Sequence, residues 1–211
     1  MDFEKWEPYY IQILKDFGYD RGKDEESARL LDATLAGDRI STRELERMIA
    51  GQEVFVAGNA ASLKDELGSS SGLLIAADEA ASVVMRAGEA PDIVVTDLDG
   101  DVKDQIKANV RGAVAVIHAH GDNMAAVRRW APLFRGRVVA TTQASPFVKV
   151  HNFGGFTDGD RAVFLAHHFR ASRIRLLGFD FVHPSPKDER PEVKIRKLAW
   201  AKRLIEELGV I

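Results

Sequence analysis

There is no cysteine among the 211 residues. Its absence excludes disulfides, thiolate catalysis and zinc–cysteine sites. No apolar segment approaches the roughly 20 residues that a transmembrane helix needs. A basic excess is missing too: the net charge is −3, whereas sequence-independent nucleic-acid binding needs a positive surface. The opening Met1-Asp2-Phe3-Glu4-Lys5-Trp6 carries acids where a signal peptide has a basic stretch and then an apolar run. The expectation is a cytoplasmic protein with neither a membrane nor a nucleic-acid partner. Internal repeats and low-complexity stretches are also absent.

What is present fits one soluble globular core, with 45% hydrophobic and 29% charged residues. Residues 1–50 carry helical spacing in Trp6, Tyr9, Tyr10, Ile13, Leu14 and Phe17, then Ala28, Leu30, Leu31 and Leu35, then Leu45, Met48 and Ile49. Ser41 with Glu44 three residues on is a capping-box signal. This region reads as a small helical cap, packing against a main domain of residues 51–211. From residue 53 the pattern becomes strand, turn, helix, repeated. The expected strands are Val54–Ala57, Leu73–Ala76, Ile93–Val95, Val114–Ile117, Val138–Ala140 and Ile174–Leu177. Helical periodicity fills residues 79–87, 123–134 and 158–169, and a last amphipathic helix runs from Pro191 to Leu208. That alternation implies an α/β fold with a doubly wound, mostly parallel sheet. Its strand-end loops gather on one edge, where such folds bind ligands.

The most informative of these loops is Thr96-Asp97-Leu98-Asp99-Gly100-Asp101, directly after the β-branched run Ile93-Val94-Val95. In an extended chain, residues two apart face the same way. Asp97 and Asp99 are therefore expected to aim into one site. Paired hard oxygen ligands suit Mg²⁺, which usually accompanies phosphates. Asp101 is the weakest of the three and reads as a helix cap.

The other loops carry smaller signals. Gly58-Asn59-Ala60-Ala61-Ser62-Leu63 leaves backbone N–H groups free for a phosphate, although an ordinary tight turn gives the same composition. Asp78 reads as an N-cap or as a further acid of the site. In His118-Ala119-His120-Gly121-Asp122-Asn123 the histidines can ligate a metal, bond phosphates or hold the loop, while Asp122 and Asn123 open a helix facing the cleft. Thr141-Thr142-Gln143 offers hydroxyls and an amide for a phosphate or a heterocycle. Gly154 and Gly155, between Phe153 and Phe156, either let a flat ligand approach the backbone or form a turn over the core. Thr157 or Asp158 is expected to cap the next helix. Asp180, between Phe179 and Phe181, can meet an aminopyrimidine-like N–H edge. The adjacent His167-His168 face different ways on a helix and make a poor metal site. Lys187, Arg190, Lys194, Arg196, Lys197, Lys202 and Arg203 read mostly as a solvated face, with one or two near the start within reach of a triphosphate.

These residues carry a resemblance. Thr96 to Gly100 resembles the Asp-Leu-Asp strand end of thiamin pyrophosphokinases. More of the chain resembles the archaeal 6-hydroxymethyl-7,8-dihydropterin pyrophosphokinase family, through Trp6 to Tyr10 with Phe17-Gly18-Tyr19, Gly58 to Leu63, Thr96 to Gly100, His118 to Asn123, Thr141 to Gln143, Asn152 to Arg161 and Ile195 to Leu198. The resemblance implies transfer of an intact diphosphoryl group from ATP to the pterin hydroxymethyl oxygen, for a methanopterin- or folate-type pathway. It implies Mg²⁺ held by Asp97 and Asp99, with Asp78 and Asp122 matching the other acids of the site. Pterin contacts are expected from Asn152 to Phe156 and from Asp180. Gly100 stands where thiamin pyrophosphokinases have Ser, and their acid–Thr–acid segment is not reproduced around Asp122. Both departures disfavour thiamin as acceptor. The rival readings are a related nucleotide-dependent transferase with another acceptor and a non-catalytic nucleotide-binding module. The oligomeric state stays open, with the first fifty residues available as an interface.

Overall fold

The computed structural model describes residues 1–68, 71–184 and 190–211. All six expected strands form, as β2 (Glu53–Ala57), β3 (Leu73–Ala77), β4 (Ile93–Thr96), β5 (Val114–Ala119), β6 (Arg137–Thr142) and β8 (Arg173–Leu177). They make a parallel sheet of order β6-β5-β4-β3-β2-β8. Two strands of two residues each were not expected. β1 (Asp38–Arg39) pairs with Arg137 and Val138 of β6, and β7 (Val150–His151) pairs with Ala140 and Thr141 of the same strand. Neither is long enough to display a period of two, so pattern reading passes over them.

The strands β2 to β6 are buried on both faces, and the two faces alternate. Val54 and Val56 of β2, Ile93 and Val95 of β4, and Val114 and Val116 of β5 share one cluster with Leu45 and Ile49 of α3 (Thr42–Ile49) and Val163 of α8 (Asp158–His168). Phe55, Ala57 and Val94 face the other way, toward α5 (Ala80–Arg86) and Ala108 of α6 (Val102–Val110). Ala115, Ile117 and Ala119 meet Leu31 of α2 (Arg21–Thr34) and Val127 of α7 (Met124–Trp130). Helices thus cover both sides of a parallel sheet, as a doubly wound topology requires.

The first helix, α1 (Phe3–Phe17), buries Trp6, Tyr10 and Ile13 against Phe164 of α8 and Trp200 and Leu204 of α9 (Pro191–Glu207). It stops at Gly18, whose φ of 68° is the left-handed cap glycine tolerates. Ser41 and Glu44 form their reciprocal capping box at α3. No helix among the described residues is long and apolar enough to cross a membrane.

Candidate active site: three half-buried carboxylates at the sheet edge

Ile93 and Val95 point toward α8, so the next position of the same parity, Asp97, falls at the strand end on that side. Asp158 is the first residue of α8, and Asp78 follows β3, the neighbour of β4. One oxygen from each of Asp78, Asp97 and Asp158 lies within 4.8 Å of the others. Asp97 Oδ2 is 3.3 Å from His120 Nε2, while Asp97 Oδ1 is buried with no hydrogen-bond partner. A buried carboxylate oxygen without a donor is costly unless a cation completes it.

Electrostatics agree with this geometry. Burial, then the carboxylates of Asp158 and Asp97, push Asp78 well above the usual carboxylate range. Burial, then Asp97, raise Asp158 to about 7 against the pull of Arg161. Burial also opposes the charge on Asp97, but the hydrogen bond with His120, and the charges of His120, Arg161 and Lys197, hold it below its ordinary value. Crowded acids of this kind accept a divalent ion readily, because the ion removes their mutual repulsion.

The surrounding side chains fix the acids in place. Asp78 has φ of 47° and Leu98 has φ of 68°, left-handed values that branched or bulky residues rarely adopt. Gln105, fully buried on α6, donates to Asp78 Oδ1 at 2.7 Å and to the Asp99 carbonyl at 3.0 Å. Gln105 thereby ties the two loops together. Gly100 explains itself: a Cβ there would lie 2.4 Å from Glu79 Cγ and 2.9 Å from Asp78 Oδ2. Asn123 Nδ2 donates to the Asp97 and His118 carbonyls, both at 2.8 Å. Burial, then Arg161 and His120, hold the pKa of His118 well below its ordinary value. Thr141 donates to the Ile117 carbonyl and accepts from His118 Nδ1 at 3.1 Å, so His118 holds a loop.

These residues open on a cleft of about 720 Å³. Of the expected site residues, it is lined by Gly58, Asn59, Asp78, Asp97, Asp99, His120, Gln143, Phe156 and Asp180. Asp99 is exposed on the rim, because β4 ends at Thr96 and the turn at Leu98 breaks the extended alternation. Asp122 is exposed and outside the lining, as is Ser62, while Thr142 and Asn152 are buried behind it. Thr142 Oγ1 accepts from Ala144 N, and Asn152 bridges the Ala144 carbonyl and Gly154 N. Gly154 and Gly155 press against Phe164 and the Arg161 backbone, where a Cβ would sit at 2.4 Å and 2.6 Å. They form the turn over the core and lie outside the lining. Asp180 accepts from Val182 N, His183 N and His183 Nδ1, which organise its loop and lower its pKa to about 2.

Sequence reasoning missed two participants. Asp158 was read only as a possible cap, but Thr157 is the N-cap and Asp160 completes the capping box, which releases Asp158 to the cleft. Arg161, only 7% exposed, pairs with Asp158 at 3.2 Å and donates to Gln143 Oε1 at 3.3 Å. Two acids and an arginine within Asp158-Gly159-Asp160-Arg161 were the available signal. Of the expected cations, Lys194 and Lys197 line the cleft, and Lys187 lies outside the described residues. A second groove, of about 850 Å³ along β8, holds Arg173 and Arg175 beside Glu53 and none of the strand-end acids.

At the carboxyl edge of the parallel sheet of this α/β protein, three carboxylates and an arginine share one cleft with two lysines of α9. Residues 33–185 match the family model described as 6-hydroxymethylpterin diphosphokinase MptE-like, and the chain belongs to that family. It is similar over 99% of its length to three archaeal proteins named 6-hydroxymethyl-7,8-dihydropterin pyrophosphokinase. The protein from Methanothermobacter thermautotrophicus is 43% identical and covered to 95%. That from Pyrococcus furiosus is 41% identical and covered to 94%, and that from Methanocaldococcus jannaschii 38% and 96%.

Proposed function

We propose that this chain is a Mg²⁺-dependent pyrophosphokinase that transfers the terminal diphosphoryl group of ATP to 6-hydroxymethyl-7,8-dihydropterin, for methanopterin- or folate-type cofactor synthesis. The observation that carries this reading is the convergence of Asp78, Asp97 and Asp158, with Asp97 Oδ1 buried and unpartnered. Hard carboxylate oxygens suit Mg²⁺ in type, and its remaining positions would go to phosphate oxygens and water. When bound there, Mg²⁺ would neutralise phosphate oxygens and the charge developing on the departing AMP.

The remaining work falls to the protein. The hydroxymethyl oxygen attacks the β-phosphorus, the bond from that phosphorus to the oxygen bridging the α-phosphate breaks, and AMP leaves with the bridging oxygen. Asp99, on the rim with one oxygen bonded to Gly100 N, is our candidate to take the hydroxyl proton. Lys194 and Arg161 supply positive charge to the phosphates from the same cleft. His120 and Asn123 orient Asp97 from its side chain and its carbonyl. Alignment and fixed charge account for most of the acceleration in such transfers.

The test is incubation with ATP, Mg²⁺ and 6-hydroxymethyl-7,8-dihydropterin, with thiamin in parallel, followed for AMP and the diphosphorylated product. Metal-dependent AMP release with the pterin alone is expected. Asp97→Asn should remain folded by circular dichroism and lose more than about 100-fold in turnover. Near-normal turnover in that variant would remove the metal-site argument.

A further inference from the structure

The cleft wall comes from two sources. The three carboxylates, the Gly58–Ala61 loop and the Phe179–Pro184 loop all lie within the family-matched residues 33–185. Tyr19, from the turn between α1 and α2, and Lys194, Lys197, Leu198 and Ala201, from α9, line the same cleft from outside that span. Those four α9 residues follow an i, i+3, i+4, i+7 spacing, so a single stripe of the helix forms the wall. The relatives named as pyrophosphokinases align with 99% of the chain and therefore span both segments.

The outer wall has an organised surface. Phe17 and Tyr19 stack at 5.5 Å with an interplanar angle of 13°, and Phe156 lies against both rings at 5.1 Å and 6.4 Å. Lys197 Nζ sits 5.9 Å from the Tyr19 centroid and 5.7 Å from that of Phe156. No carboxylate among the described residues pairs with Lys197. Leu198, Ala201, Gln143 and Arg161 line the same cleft. By contrast, Phe179 fills the space left by Gly58 and Gly159, 3.1 Å and 3.2 Å from where their Cβ atoms would be. Its ring is engaged in packing.

We infer that Tyr19, Phe156 and Lys197 form the subsite for the flat heteroaromatic ring of the acceptor, leaving the nucleotide to the loops of the family-matched span and to Lys194. This rests on the function proposed above and names the half of the cleft that selects the acceptor. A partly apolar slot bearing a lysine that no carboxylate among the described residues pairs suits a planar ring carrying an electron-rich carbonyl edge. The slot opens on the same cleft as the reacting centre, since Lys197 and Asp97 both line it. A ring held there directs its hydroxymethyl substituent toward the acids.

The experiment uses Tyr19→Leu, Tyr19→Phe and Lys197→Met in the full chain. Steady-state kinetics varies each substrate separately. Equilibrium titrations follow the fluorescence of 6-hydroxymethylpterin and, separately, the binding of a non-hydrolysable ATP analogue. Tyr19→Leu is expected to raise the pterin KM and Kd about tenfold, the loss of one aromatic contact. Its affinity for the ATP analogue should stay within about twofold, and Tyr19→Phe should restore the pterin values. Lys197→Met should weaken the pterin more than the analogue. An unchanged pterin affinity in folded Tyr19→Leu, or a loss confined to the nucleotide, overturns the subsite while wild-type turnover preserves the function. Wild-type protein that binds the pterin without releasing AMP overturns the function, and the titrations still judge the subsite. Wild-type protein that neither binds nor converts the pterin overturns both.

Discussion

Gly100 concentrates the logic of the site into one position. Its φ of 61° and the contacts a Cβ would make with Glu79 and Asp78 leave no room for a side chain. Gly100→Ala is expected to cost roughly 1–3 kcal/mol, by urea denaturation, and to weaken Mn²⁺ binding because Asp78 must shift. Normal stability with normal Mn²⁺ affinity would mean that the turn relaxes freely and does not hold Asp78. Asp97 was legible in the sequence because it ends a β-branched run. Asp158 was not, because a helix start offers several residues as caps, and only the Thr157–Asp160 pairing shows which one is free. In the Gly121–Asn123 turn the Asn123 side chain goes inward to hold the Asp97 carbonyl, and Asp122 is left exposed.

Among the elements, α1 and α2 do more than cover the sheet. Asp24 of α2 is 2% exposed and accepts from Tyr10 Oη at 2.7 Å, Gln143 Nε2 at 2.9 Å and Gly121 N at 2.7 Å. One carboxylate thus joins α1 to the loops after β5 and β6, and Trp6 Nε1 donates to the Gln143 carbonyl beside it. Asp24→Ala strands three donors in the interior and is expected to destabilise the protein by about 2–4 kcal/mol, read from chemical denaturation. Substrate KM values should also rise, since Gln143 orients Arg161. A loss below the measurement error would show that water replaces the carboxylate. Helical spacing announced these helices. The Asp24 contacts with Gly121 and Gln143 span 97 and 119 residues of chain, and no local pattern encodes them.

At the scale of the whole molecule, the acid cluster makes stability depend on pH and on divalent ions. Asp158 has a folded-state pKa of about 7 against an ordinary 3.8, and Asp78 is displaced the same way. A raised carboxylate pKa means that the folded state keeps a proton the unfolded chain has released. The contribution of Asp158 to stability is therefore greatest below about pH 4 and falls as pH rises to about 7. Buried histidines such as His118, with lowered pKa, act in the opposite direction. The informative quantity is thus the difference between wild type and Asp158→Asn. In chelated protein the variant should gain thermal stability over wild type as pH rises through that window. Mg²⁺ should stabilise wild type most at the upper end and the variant little. A difference independent of pH and of Mg²⁺ would show that the carboxylates do not share a cation.

The sequence by itself determined the parallel sheet, its six main strands and the polar loops gathered at its carboxyl edge. Those features follow from periodicity and from the abrupt change of chemistry at strand ends, both local properties of the chain. Tertiary structure decided which acids converge, which glycines answer to packing, and that Tyr19 and Lys197, 178 positions apart by number, share one wall. Those outcomes depend on where helices start and on how distant segments pack, and side-chain burial is a property of the assembled layers.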